Sequence, residues 1–96
     1  MSQLTVIATV VAEKESAEQL KSELLKLVAP TRQEEGCISY TLHQDNEDPA
    51  VFIFHETWQS PVHLERHIAS EHYRAYASAA EGLIAGKAVN KLTLIG

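Results

Sequence analysis

The chain has 96 residues, 45% hydrophobic and 22% charged, which fits one domain built around one core. Eight Lys and Arg against thirteen Asp and Glu leave a net charge of −5, which argues against nucleic acid and against anionic membranes as partners. No apolar run reaches the ~18 residues of a spanning helix, the N-terminus shows no leader pattern, and the single Cys37 closes no intrachain disulfide. The expectation is a cytoplasmic protein of one domain, residues 1–96.

Leu4–Val11 is rich in β-branched residues and reads as a strand, with Leu4, Val6, Ala8 and Val10 sharing one face. Ser16 and Gln19 form a capping-box pattern that starts a helix. Leu20, Leu24, Leu27 and Val28 supply its apolar stripe, and Pro30 is expected to kink or end it near Ala29. Gly36 suits a left-handed position before the next strand. Cys37–Gln44 and Val51–Trp58 read as two strands joined by the polar loop Asp45-Asn46-Glu47-Asp48-Pro49. Alternation puts Ile38, Tyr40 and Leu42 on one side of the first, and Phe52, Phe54, Glu56 and Trp58 on one side of the second. His43 and His55 fall on the opposite faces.

Ser60-Pro61 is a favourable helix start, followed by Leu64, His67 and Ile68 on one face. Tyr73, Tyr76, Ala77, Ala80 and Leu83 give a further helical stripe that Gly82 or Gly86 ends, and Ala88–Ile95 reads as a last strand. The order βαββααβ predicts an α+β, ferredoxin-like domain with a four-stranded antiparallel sheet. Helices of this number cover one sheet face only. The other is apolar enough to need a partner, and a second copy of the same sheet predicts a homodimer.

Four stretches, LTVIATVVA, PTRQEEGCISYTLHQDNEDP, FIFHETWQSP and HLERHIASEHYRAY, resemble the antibiotic biosynthesis monooxygenase family, which includes cofactor-independent quinol and anthrone monooxygenases. The resemblance runs through nearly the whole chain. It implies a dimeric α/β barrel, with a small aromatic or quinol-like substrate held between sheet and helices and no cofactor. It also implies that Trp58, in the family's E-x-W-x-S stretch, lines the substrate cavity; the ordinary alternative is an indole packed in the core. Phe54 and Leu42 stand where the anthrone-oxygenase pattern carries asparagine and tyrosine. The residues through which heme-degrading relatives resemble one another have no counterpart in the first strand, at His67 or at Tyr76-Ala77. The run His67 to Tyr73 resembles the quinol monooxygenase-like relatives and the branch that processes autoinducer-2 phosphate.

His67, beside Leu64 and Ile68, is the first candidate for a catalytic base, because a buried neutral imidazole takes a proton near pH 7. The competing reading is a core histidine bonded to a strand carbonyl. His72 is the second catalytic candidate and forms an i, i+4 pair with Tyr76. Tyr40, Leu42, Phe54, Glu56, Trp58 and Tyr76 are the candidate substrate-binding residues. Glu56 interrupts an apolar face, and the expected explanation is an ion pair with Arg32, Arg66 or Lys91. His63 and His67 have a spacing that can share a metal, but Glu65 stands one place too late for the zinc-protease motif and no third ligand is fixed, so no metal is expected. Cys37 reads as a buried, inert thiol. The function the resemblance implies for these residues is oxidation of a quinol or similar electron-rich aromatic by dioxygen. The alternatives are isomerisation of a small carbonyl compound and a non-enzymatic small-ligand barrel.

Overall fold

The computed structural model describes residues 3–96. Its elements are β1 (Leu4–Ala12), α1 (Ala17–Leu25), α2 (Val28–Arg32), β2 (Cys37–Gln44), β3 (Val51–Trp58), α3 (Pro61–Ile68), α4 (Glu71–Ala79) and β4 (Ile84–Leu92). The sheet has the order β2-β3-β1-β4 with every neighbouring pair antiparallel. This is the α+β, ferredoxin-like architecture the sequence predicts, with the first helical region split in two as well as the second.

The break falls at Lys26 and Leu27, before Pro30, which corrects the expected kink or stop near Ala29. Pro30 is the third residue of α2, where a backbone N–H would have no acceptor within the helix, so the missing donor costs little and the helix runs on to Arg32. The capping box at Ser16 does not form. Its φ of −105° and ψ of 5° lie outside the extended geometry that turns a capping hydroxyl toward the first-turn amides.

The strands differ from expectation at two places. Cys37 pairs with Trp58 and Ser39 with Thr57, so Ile38 is the extra residue of a bulge. Ile38 is therefore 47% exposed, and Cys37 takes the core-facing position that alternation assigns to Ile38. β4 starts at Ile84 rather than Ala88 and ends at Leu92. A register shift at Val11/Ala12 brings Gly86 opposite Val11 and Ile84 opposite Ala12, so Gly86 extends the strand instead of ending a helix. The reversal falls at Gly82, whose φ of +87° follows α4.

The core forms where the sheet meets the helices. Val6, Val10, Tyr40, Phe52, Phe54 and Trp58 pack against Leu20, Leu24, Leu27, Leu64 and Ala80, all buried. Each large side chain removed from water here contributes roughly 1.5–3 kcal/mol. The opposite face bears Ile7, Val11, Ile53 and Thr57, half-buried, and His43 and His55, exposed. No helix is long and apolar enough to cross a membrane among the described residues.

Candidate active site

Among the described residues, three buried polar side chains interrupt the core: Thr31, Glu56 and His67. His67 comes from α3, one turn after Leu64, and the apolar stripe that docks α3 carries the imidazole inward to 2% exposure. Its Nδ1 lies 2.7 Å from Glu34 Oε2, and the same oxygen is 2.5 Å from His72 Nε2. A carboxylate only accepts, so both imidazoles present an N–H to Glu34. His67 Nε2 then keeps its lone pair, with no protein hydrogen-bond partner among the described residues.

Local chemistry fixes each member of this cluster. Ser70 Oγ donates to the His67 carbonyl at 2.6 Å and accepts from Tyr73 N at 3.2 Å, so one side chain caps α4 and ties it to the end of α3. His72 therefore enters the first turn of α4 beside His67, their ring centroids 6.1 Å apart. Glu34 sits in the turn after α2. Its amide donates to the Thr31 carbonyl at 3.0 Å, and Arg32 Nε donates to the Tyr40 carbonyl at 3.0 Å, which ties that turn to β2. Gly36, at φ +85°, reverses the chain directly under the His63 ring, where a Cβ would overlap the imidazole.

His67 opens onto a cavity of about 960 Å³ between the helices and the sheet. Val6, Ala8 and Val10 form its floor, Tyr40, Phe54 and Glu56 one side, and Leu64, Tyr73 and Tyr76 part of its cover. An apolar chamber with a few converging polar groups is suited to a flat ring system. Aromatic rings enclose the imidazole: Tyr40, Trp58 and Tyr73 have centroids 5.5, 5.0 and 5.1 Å from it.

Burial sets the proton affinities. It pushes His67 below the ordinary imidazole value, against the upward pull of the Glu34 hydrogen bond and charge, so the neutral ring is favoured. Burial raises Glu56, and the hydrogen bond it accepts from Trp58 Nε1 at 2.9 Å only partly opposes this. Burial also raises Tyr40 and Tyr73, and pushes Tyr76 up to about 12, so these phenols remain hydrogen-bond donors at neutral pH.

The structure brings together Tyr40, Phe54, Glu56, His67 and Tyr76 at the cavity. Leu42, Trp58 and His72 lie outside its lining: Leu42 packs against the core, Trp58 is fully buried behind the His67 ring, and His72 stands behind Glu34. The expected ion pair of Glu56 is corrected. Its partner is the Trp58 indole, while Arg66 meets Glu35 at 3.8 Å and Arg32 bonds a carbonyl. His63 and His67 do not converge either, because His63 Nδ1 lies 2.8 Å from Ser60 Oγ. Cys37 is half-buried, and burial, Glu34 and Glu56 all raise its thiol.

Glu34 is the residue that sequence reasoning missed. It belongs to a turn with no periodicity, and the only signal was two inward histidines that needed an acceptor. Glu34, His67 and His72 each offer one metal-ligand atom within 4.8 Å. Glu34 Oε2 is 2.5 and 2.7 Å from the two nitrogens, whereas tetrahedral ligands of one zinc sit roughly 3.3 Å apart. The cluster has the spacing of hydrogen bonds.

The sequence profile of the antibiotic biosynthesis monooxygenase family matches residues 3–79, and the chain belongs to that family. The solved structure of PA3566 from Pseudomonas aeruginosa superposes with a TM-score of 0.96 at 38% identity, covering 100% of this chain and 97% of that one. "Putative monooxygenase Rv0793" of Mycobacterium tuberculosis is 32% identical over 75 residues, 78% of this chain and 73% of that protein. "Probable quinol monooxygenase YgiN" of Escherichia coli K12 is 29% identical over 89 residues, 82% of this chain and 86% of that protein. The matched stretch spans 44% of the length of a further curated relative, from Synechocystis.

Proposed function

We propose that this chain is a monooxygenase that oxidises a quinol or similar electron-rich phenol with dioxygen, using His67 as the general base and no redox cofactor. The observation that carries the reading is the Glu34-bound imidazole in the wall of an apolar cavity, its Nδ1 2.7 Å from the carboxylate and its Nε2 unpartnered. Family membership and the monooxygenase names of its relatives support the reaction class.

His67 Nε2 removes the phenol proton, and Glu34 stabilises the imidazolium and fixes its tautomer. The phenolate gives one electron to dioxygen, and the resulting radical pair joins at a ring carbon that bears hydrogen. The peroxide takes the proton back from His67. Loss of that ring hydrogen with the outer oxygen then leaves a carbonyl and water. The substrate loses two hydrogens and gains one oxygen atom; the second oxygen leaves in the water. Glu56, whose burial favours the protonated acid, and the wall phenols orient the substrate oxygens.

Labelled dioxygen tests this directly. Metal-stripped protein turning over reduced quinols and anthrones should place one label in the product and the other in water, with one dioxygen consumed per product. Unlabelled product with stoichiometric hydrogen peroxide, or no uptake above autoxidation across the panel, would overturn the proposal. We further propose that the open sheet face, with Ile7, Val11 and Ile53, is covered by a second copy of the chain.

A further inference from the structure

Strand register sets the cavity floor in rows. In one row Tyr40, Glu56, Val6 and Lys91 stand side by side on β2, β3, β1 and β4, and all four line the cavity. Four residues along β1 and β4, Val10 and Lys87 form another row, beyond the one of Ala8 and Val89. Strands lie about 4.8 Å apart, so Lys91 is placed about 10 Å from Glu56. His67 packs on Tyr40 and Trp58, at the Glu56 end. The proton-accepting end and the lysine end thus lie on opposite sides of an apolar floor.

Lys91 and Lys87 occupy the helix-covered side of the sheet, yet both are exposed and neither has an ion-pair partner among the described residues. The cavity's other carboxyls are Glu56, at the far end, and Glu81, exposed at the rim. A neutral ligand gains nothing from these hydrated ammonium groups, whereas an anionic substituent within reach of one gains a screened charge contact.

We infer that the cavity takes an aromatic bearing a carboxylate or sulfonate on the side remote from the reacting hydroxyl, with Lys91 as its anchor. The inference rests on the proposed phenol oxidation only for which end reacts; the preference for an anion is a binding property, readable without turnover. A lysine on an edge strand also discourages edge-to-edge pairing, and that role alone would give no ligand preference.

The test compares 6-hydroxy-2-naphthoate with 2-naphthol by titration calorimetry under argon. The naphthoate holds its hydroxyl and carboxylate at opposite ends of two fused rings and should bind about fivefold more tightly. The preference should vanish in Lys91→Gln and in about 0.5 M salt, and return in Lys91→Arg. Equal affinities, binding of neither compound, or a preference that survives Lys91→Gln would overturn the inference. Dioxygen uptake on the same samples keeps the two claims apart. Turnover of neutral quinols without an anion preference removes only the specificity. An anion preference without any uptake removes only the oxygenase reading.

Discussion

His67 is held by Glu34 through Nδ1, by Ser70 through its own carbonyl, and by three aromatic rings around its faces and edges. With Nδ1 committed, the state of Nε2 decides whether the ring can act as a base. The active form is the neutral one, so the rate should fall as pH drops through the His67 pKa. Burial places that acidic limb below the ordinary value of 6.5, with Glu34 pulling upward and His72 downward. Replacing Glu34→Gln removes the upward pull. In pH–rate profiles of dioxygen uptake the limb should move further down while the plateau falls by about tenfold or more, because the imidazole loses its charged orienting partner. An unmoved limb would remove Glu34 from the account.

Glu56 gives a stability prediction of opposite origin. Its folded-state pKa lies above the ordinary 4.5, so folding favours the protonated acid. That contribution is complete below 4.5 and is lost as pH rises through the folded-state value. Glu56→Gln keeps an acceptor for Trp58 Nε1 and cannot ionise. Thermal melts should therefore show a higher Tm than wild type at neutral pH, with the gap closing on acidification. A lower Tm at neutral pH would mean that the carboxylate is stabilised by contacts other than the indole.

Among the elements, the turn from α2 into β2 carries the greatest constraint. Gly36 and Gly82 have nearly equal positive φ, +85° and +87°, but only Gly36 lies against a side chain, the His63 ring. Gly82→Ala meets no atom within 4 Å and should cost only the left-handed backbone penalty of about 1–2 kcal/mol. Gly36→Ala should cost that plus the displacement of His63, at least about 3 kcal/mol together. Equal losses in denaturant melts would show that the His63 contact carries no strain. The same turn presents Glu34, so Gly36→Ala should also weaken whatever depends on the carboxylate.

Elements whose chemistry is local were legible in the sequence. β2 and β3 occupy the residues their alternation marks, and Ser60-Pro61 starts α3 as the fixed φ of proline requires. Boundaries set by register were not. The bulge at Ile38 and the early start of β4 depend on how partner strands align, which the chain's own periodicity does not encode. The candidate site divides in the same way. His67, Glu56, Tyr40 and Tyr76 were visible because they interrupt or continue apolar faces. Glu34 was not, since a turn residue has no face, and its role arises only when α3 and α4 fold over it.

For the whole molecule, one sheet face is covered by helices and the other is not, and the uncovered face carries Ile7, Val11 and Ile53 among threonines and histidines. A twofold pairing of these faces predicts sedimentation at the dimer mass. Ile53→Lys should give a folded monomer, since each copy would bury an unpaired ammonium in the seam. A wild-type monomer at micromolar concentration would remove the barrel from the account.

With His67 as the base of an oxygen-consuming reaction, initial rates of dioxygen uptake by wild type and His67→Ala, at matched pH and with saturating quinol, must differ. The predicted result is a loss of about a hundredfold or more in kcat, with the variant still folded by circular dichroism. Saturable uptake by wild type that His67→Ala retains would contradict it.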